Sequence, residues 1–318
     1  MKSSADVEFA VNLAGLRLRT PMLLASGTYG WGTEFEQIEG FSSAAVGGIV
    51  LKGTTLEPRE GNRTPRIVET AGGAGILNSI GLENPGVDYV LTHYLPKLKG
   101  TRAKVIANVA GSTVQEYAEV TRRFDAHRRI DAIEINVSCP NVKKGGMHFG
   151  AEPALCAEVV ARSREAAKKP LIVKLSPNVT DIRAIARAAV EAGADILTVA
   201  NTFLGTAVDI RTRKPILGNV SGGLSGPAVK PIALQKVLEV ARFLREEKRD
   251  TPIIASGGIM TAQDALEFLI TGARAFAIGT VLFADFKAPE RIMEEMKTLL
   301  VELKVRDVND LVGTLQLA

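Results

Sequence analysis

Two hydrophobic periods alternate along the chain. Short runs rich in Val, Ile, Leu and Ala recur at Met22–Ser26, Gly48–Lys52, Val105–Val109, Ala132–Val137, Leu171–Leu175, Ile196–Ala200, Pro252–Ser256 and Ala275–Gly279. Each reads as a buried strand. Between most of them lie segments with apolar residues at helical spacing: Val114–Arg128, Ala154–Lys168, Ile182–Ala192, Pro231–Glu247 and Ala262–Ile270. In the fourth, Ile232, Val237, Val240, Ala241 and Leu244 are expected to face inward. Thr180-Asp181 and Thr261-x-x-Asp264 mark helix starts, the second as a capping box. Gly193 and Gly272 mark stops. Strands interleaved with helices in this way predict an α/β fold, a closed (β/α)8 TIM barrel, with an open doubly wound sheet as the alternative. Upstream, Val7-x-Phe9-x-Val11 and Leu16-x-Leu18 alternate around Ala14-Gly15. They predict a β-hairpin closing the bottom of the barrel. With no repeat, low-complexity tract or linker, residues 1–318 are expected to form one domain, with long loops at the C-terminal face.

Composition narrows the class. The chain has 318 residues, 46% hydrophobic and 23% charged, which excludes a disordered chain. Its charge of 39 − 35 = +4 is scattered, with no run that suggests a nucleic-acid surface. The longest apolar stretches fall far short of the roughly 18 residues that a bilayer span needs, so no membrane helix is expected. The first residues are polar and lack the apolar core of a signal peptide, so a cytoplasmic location is expected. Two cysteines, Cys139 and Cys156, cannot build a disulfide framework, a four-cysteine zinc site or an iron–sulfur cluster. Three histidines, His93, His127 and His148, argue against a multi-histidine metal centre, and no metal is expected. His93 and His127 read as surface helix residues, and Cys156 as helix core packing.

Residues costly inside a core gather at the strands' C-terminal ends: Ser26-Gly27, Lys52, Asn108, Asn136, Lys174, Asn201-Thr202, Gly257-Gly258 and Gly279-Thr280. That is the face where barrel enzymes carry their active sites. Each alone is an ordinary turn residue; their coincidence is not. Lys52 and Lys174 each interrupt an apolar run, and a desolvated ammonium needs an anion. Glu134, on the same strand face as Asn136, is one such anion; a ligand or cofactor in the barrel mouth is the other. Gly222-Gly223-Leu-Ser-Gly226-Pro227 precedes a helix, and Gly257, Gly258 and Gly279 follow the last two strands, where barrels bind phosphate. Cys139 sits just past the fourth strand, followed by a segment from Val142 to Gly150 that reads as a glycine-hinged lid. His148 raises a Cys–His pair, with no third orienting group evident.

These motifs resemble those of class 1 dihydroorotate dehydrogenases, from Ala-Ser-Gly27 to Ile-Gly-Thr280. The most specific are Lys52-Gly-Thr-Thr55, Asn78-Ser-Ile-Gly-Leu82-Glu-Asn84-Pro, Asn136-Val-Ser-Cys-Pro-Asn141 and Lys174-Leu-Ser-Pro-Asn178. Lys52-Gly-Thr-Thr55 departs from the commoner alanine after the lysine. Cysteine in Ser-Cys-Pro-Asn is similar to the cytosolic class, since the membrane-bound class has serine there. Ser-Pro-Asn-Val-Thr-Asp181 and Gly-Gly-Leu-Ser-Gly-Pro-Ala228 look like the catalytic subunit of class 1B. The resemblance implies FMN and oxidation of (S)-dihydroorotate to orotate in pyrimidine (UMP) biosynthesis. It implies that Ser26, Lys52, Gly53, Asn108, Asn136, Lys174, Ala200, Gly226, Gly257, Gly258, Gly279 and Thr280 hold FMN. Lys52, Asn78, Ser79, Ile80, Gly81, Leu82, Asn136, Asn141, Asn201 and Thr202 would hold the substrate, and Cys139 would be the base. It further implies a homodimer joined by an electron-transfer subunit carrying FAD and [2Fe–2S], a heterotetramer that reduces NAD; fumarate would mark class 1A. Rival readings are a dihydropyrimidine dehydrogenase-type flavin barrel, which has histidine where this chain has Asn141, a Schiff-base lyase using Lys52 or Lys174, and a non-catalytic scaffold.

Overall fold

The computed structural model describes residues 7–35, 38–39, 43–138 and 149–316. The chain enters through the hairpin β1 (Val11–Leu13) and β2 (Leu16–Leu18). It lays down β3 (Met22–Leu24) and β4 (Gly48–Val50), then detours through β5 (Ile67–Glu69) and β6 (Ile76–Asn78). It resumes with β7 (Lys104–Val109), β8 (Ala132–Asn136), β9 (Leu171–Lys174) and β10 (Ile196–Val199). A second detour holds β11 (Phe203–Thr206), β12 (Val208–Asp209), β13 (Lys214–Pro215) and β14 (Ser221–Ser225), before β15 (Ile253–Ser256) and β16 (Ala275–Ile278).

The helices are α1 (Val87–Tyr89), which runs on through turns to Leu98, α2 (Val114–Asp125), α3 (Pro153–Ala166), α4 (Ile182–Glu191), α5 (Lys230–Glu246), α6 (Ala262–Thr271), α7 (Val281–Ala284) and α8 (Ala288–Glu302). Strands β3, β4, β7, β8, β9, β10, β15 and β16 form a closed parallel barrel in chain order, and β16 pairs back onto β3. This is the (β/α)8 barrel, not the open sheet. Among the described residues, no helix is long and apolar enough to cross a membrane.

The local signals have physical counterparts. Strands β3, β4, β9, β10 and β16 are buried at every residue, as barrel strands under a helix ring must be. Helix α2 buries Val114, Tyr117, Val120 and Phe124, and the Thr113 hydroxyl caps it by accepting from the Glu116 N–H. Thr261 and Asp264 form the reciprocal capping box at the start of α6. Leu13, Leu16 and Leu18 of the hairpin are buried. Leu18 packs beside Gly47, just before β4, so the hairpin covers the N-terminal end of the barrel.

The structure corrects some details. Val7 and Phe9 lie outside the hairpin; Glu8 instead bridges to Asp307 near the C-terminus. Ile232 is 49% exposed, and Ala233 and Phe243 take the inward face of α5 beside Val237, Val240 and Leu244. His127 follows α2 in a loop. Several strands stop one or two residues short of the expected end, leaving Ser26, Lys52, Leu175, Ala200 and Gly279 outside the ladder. There the chain leaves the barrel wall and turns over its mouth. The two detours, which the sequence pattern did not predict as strands, pair into an antiparallel sheet, β11-β14-β6-β5. Its residues Ile76, Asn78, Leu204, Gly223 and Ser225 line the cavity at that mouth, making this sheet its roof.

Candidate active site

A cavity of about 370 Å³ opens at the C-terminal ends of the barrel strands. Its floor and walls include Ser26, Lys52, Gly53, Asn136, Lys174, Ala200, Gly226, Gly257, Gly258, Gly279 and Thr280. Asn78, Ile80, Gly81, Leu82, Asn201 and Thr202 line it as well. The structure therefore brings most of the residues marked in the sequence to one place. Asn108 and Ser79 do not line the cavity: both are buried, and each has one side-chain oxygen without a partner among the described residues. Cys139, Asn141 and His148, with residues 142–148 of the expected lid, lie outside the described residues. Phe149, the first described residue after that stretch, is buried edge-on to Tyr117.

The amide groups are aimed by a chain of hydrogen bonds. The Asn136 Oδ1 accepts from Asn201 Nδ2 at 3.1 Å and from the Ser138 N–H at 3.2 Å. Asn201 Oδ1 in turn accepts from the Thr202 N–H. Asn136 is thereby oriented with its NH₂ left to donate, no acceptor being engaged by it among the described residues. Its backbone carbonyl is held from behind by the Tyr117 hydroxyl at 2.7 Å. On the roof, Asn78 Nδ2 donates to the Gly223 carbonyl at 3.1 Å. Two sequence motifs clasp each other through the buried Asn84, whose Oδ1 accepts from the Thr55 N–H and whose Nδ2 donates to the Thr55 hydroxyl. Asn178 ties the loop after β9 to the loop after β10, donating to the Thr202 carbonyl and accepting from the Leu204 N–H. Asn84 and Asn178 were visible in the sequence only as motif members; their clamping role needed the fold.

Electrostatics favour an anion. Lys174 is only 8% exposed and makes no ion pair among the described residues. Lys52 also lines the cavity and has no ion pair there among those residues. The ion pair with Glu134 does not form: Glu134 is occupied by Asn108 and Thr198. The lining carboxylate Glu83 is already paired with Arg66 at 2.8 Å. Two ammonium groups thus face the cavity without a protein counter-charge among the described residues, a costly arrangement unless the occupant carries negative charge.

The opposite end suits a phosphate. Gly258 has φ +77°, and a Cβ there would stand 2.6 Å from the backbone nitrogen of Lys230, at the start of α5. Only glycine lets the chain after β15 pass this close to that helix. The Lys230 ammonium is not available to a ligand. It is held by Asp264 at 2.7 Å and Glu267 at 2.9 Å, and the Asp264 bond, the largest influence, raises its pKa against burial. What remains for a phosphate is backbone N–H groups beside Gly226, Gly257, Gly258 and Gly279, with the Thr280 hydroxyl. No cluster of three or more metal-ligating side chains occurs among the described residues.

Residues 8–300 match the family model described as dihydroorotate dehydrogenase. The chain belongs to the dihydroorotate dehydrogenase family. It is 50% identical over 311 residues to the dihydroorotate dehydrogenase B (NAD(+)) catalytic subunit of Desulforamulus reducens, covering 98% of this chain and 99% of that protein. It is 48% identical over 309 residues to the subunit of the same name from Pelobacter propionicus, covering 97% and 99%. The fold gathers the Lys52, Asn78, Asn136 and Lys174 motifs, all within the matched range, around one cavity.

Proposed function

We propose that this chain is the catalytic subunit of a class 1B dihydroorotate dehydrogenase, oxidising (S)-dihydroorotate to orotate as a single FMN-binding barrel in the cytoplasm. The observation that carries the reading is a buried Lys174, without an ion-pair partner among the described residues, in a cavity whose far end is ringed by glycine backbone. An FMN phosphate fits the Gly226, Gly257, Gly258, Gly279 and Thr280 end, and the flavin ring fits the barrel mouth between Lys52, Asn136 and Lys174. Bound FMN supplies a two-electron acceptor for the hydride leaving C6 of the substrate. The Lys174 ammonium lies in a desolvated wall, where a fixed positive charge favours negative charge building up on its neighbour.

The residues above that wall match orotate chemistry. Orotate carries a carboxylate, two ring carbonyls and two N–H groups. Lys52 offers charge to the carboxylate, and the Asn136 NH₂ offers a donor to a carbonyl. Asn78 Nδ2 is engaged with Gly223, which leaves its Oδ1 to accept from a ring N–H. Asn201, Thr202 and the loop from Ser79 to Leu82 complete the enclosure, and Asn141 joins them by its motif position. Leu82, at φ +58°, turns its loop over the cavity in a conformation uncommon for a branched side chain. Cys139 takes the C5 proton: a free cysteine thiol, with a pKa of about 8.5 in water, is a usable base in mildly alkaline solution.

Electrons leave through a second subunit carrying FAD and a [2Fe–2S] cluster, with NAD(+) as final acceptor, in a heterotetramer built on a dimer of this chain. The relatives' names, a catalytic subunit using NAD(+), support that reading. The test is the visible spectrum of the purified chain. Oxidised-flavin bands that bleach on anaerobic addition of dihydroorotate are the expected outcome. A colourless protein that acquires no bands with FMN would overturn it.

A further inference from the structure

Glu134 is a buried carboxylate with no role in the chemistry above. It lies in β8 and is 2% exposed, with no cation within ion-pair distance among the described residues. Both its oxygens accept hydrogen bonds, Oε1 from Asn108 Nδ2 at 2.6 Å and Oε2 from the Thr198 hydroxyl at 2.7 Å. Asn108 is on the preceding barrel strand, β7, directly opposite Glu134 in register. Thr198 is on β10, opposite Lys174. One carboxylate therefore spans the barrel interior from β7 to β10, two residues before Asn136, whose register partner is Lys174.

The amide of Asn108 shows why that matters. Its NH₂ end is committed to Glu134, and its Oδ1 is buried with no partner among the described residues. That oxygen lies 3.1 Å from where a Cβ on Gly53 would stand, and Gly53 lines the cavity floor. The two ends of a primary amide have nearly the same shape, so its neighbours decide which end faces which way. A carboxylate only accepts. It therefore forces the NH₂ of Asn108 toward itself and the carbonyl toward Gly53. The Thr198 hydroxyl holds the second oxygen, so the carboxylate cannot swing away. Among the described residues that buried acceptor is unpaired, which is unfavourable, so the protein without ligand stores a demand for a donor beside Gly53, just behind the cavity floor.

We propose that Glu134 is a positioning residue: it fixes the Asn108 amide so that its carbonyl oxygen accepts from a ring N–H of the bound flavin. This rests on the FMN reading above. Oxidised isoalloxazine has one such group, the imide N–H of its pyrimidine ring. With Gln at position 134 the constraint is gone, because its own amide either donates or accepts and the Asn108 amide then turns either way.

The experiment measures FMN dissociation constants on the flavin-free full-length chain for wild type, Glu134→Gln, Asn108→Ala and the double variant. Each single change is expected to weaken FMN about tenfold, and the double no more than either alone. Glu134→Gln should also raise the flavin midpoint potential, because an anion near the ring is lost; a purely scaffolding residue would leave that potential in place. Should Glu134→Gln not fold, Thr198→Val and Thr198→Ser carry the test: valine frees the carboxylate and weakens FMN, while serine keeps the hydroxyl and does not. Additive losses in the double variant, or wild-type FMN affinity in Glu134→Gln, would overturn the role of Glu134 alone. A wild-type chain that fails to bind FMN would overturn the flavin reading together with it.

Discussion

Single side chains divide the chemistry. Cys139→Ala should retain FMN and orotate yet slow flavin reduction by roughly 10²-fold or more, the range for losing a general base. Stopped-flow bleaching measures it, and a wild-type rate would remove Cys139 from the mechanism. In the unaltered chain that rate should climb as pH rises, since only the thiolate takes the proton. The lysines should separate. Lys174→Ala is expected to weaken FMN retention or lower its reduction potential, and Lys52→Ala to weaken orotate binding as well; equilibrium dialysis of both ligands reads the difference. The sequence revealed these lysines because an ammonium inside an apolar run is a visible anomaly. It did not reveal the partner of Glu134. Period two places that carboxylate on an inward face, but which neighbour reaches it depends on the stagger between strands, and that is a three-dimensional quantity. Cys156 was legible for the opposite reason. It sits within an apolar helix face, and burial pushes its thiol up to about 12, so it is inert near neutrality.

Elements were legible where burial imposed a period. Every barrel strand announced itself, because a strand covered on both faces must be apolar throughout. The roof strands did not. Strand β14 is Ser-Gly-Gly-Leu-Ser, a composition that reads as a loop. Its glycines serve close approach: a Cβ on Gly223 would collide with the Thr202 side chain. Gly223→Ala should therefore displace Thr202 and raise the orotate dissociation constant by about tenfold or more while FMN stays bound; fluorescence titration of each ligand distinguishes the two. The start of α6 supplies a pH test. Burial would raise the pKa of Asp264, but Lys230 and the N–H groups of Met260 and Thr261 override it and hold it below the usual carboxylate range. A depressed folded-state pKa contributes stability that is present above the unfolded value of about 3.8 and is lost as pH falls through the folded one. Asp264→Ala should cost about 1 kcal/mol or more at pH 7 and shrink the loss of stability in acid, read by urea unfolding at both pH values.

At the scale of the whole molecule, the prediction concerns where electrons go. Two cysteines in 318 residues cannot ligate a cluster, so the chain alone should reduce dyes but form no NADH from dihydroorotate. Adding the FAD/[2Fe–2S] subunit should confer NADH formation, followed at 340 nm; efficient turnover by the lone chain would sink that route, and efficient fumarate reduction would favour the homodimeric class. The roof has one further consequence, for the order in which the chain folds. Its central pair, β6 with β14, joins residues about 145 positions apart, as in the Asn78–Gly223 hydrogen bond. Barrel strands pair with their successors, so that wall closes progressively, whereas the roof must wait until both detours have been delivered to the same rim. Refolding should thus regain barrel secondary structure before it regains ligand affinity. A protease present during that lag should find its first cleavage sites between Phe203 and Ser225.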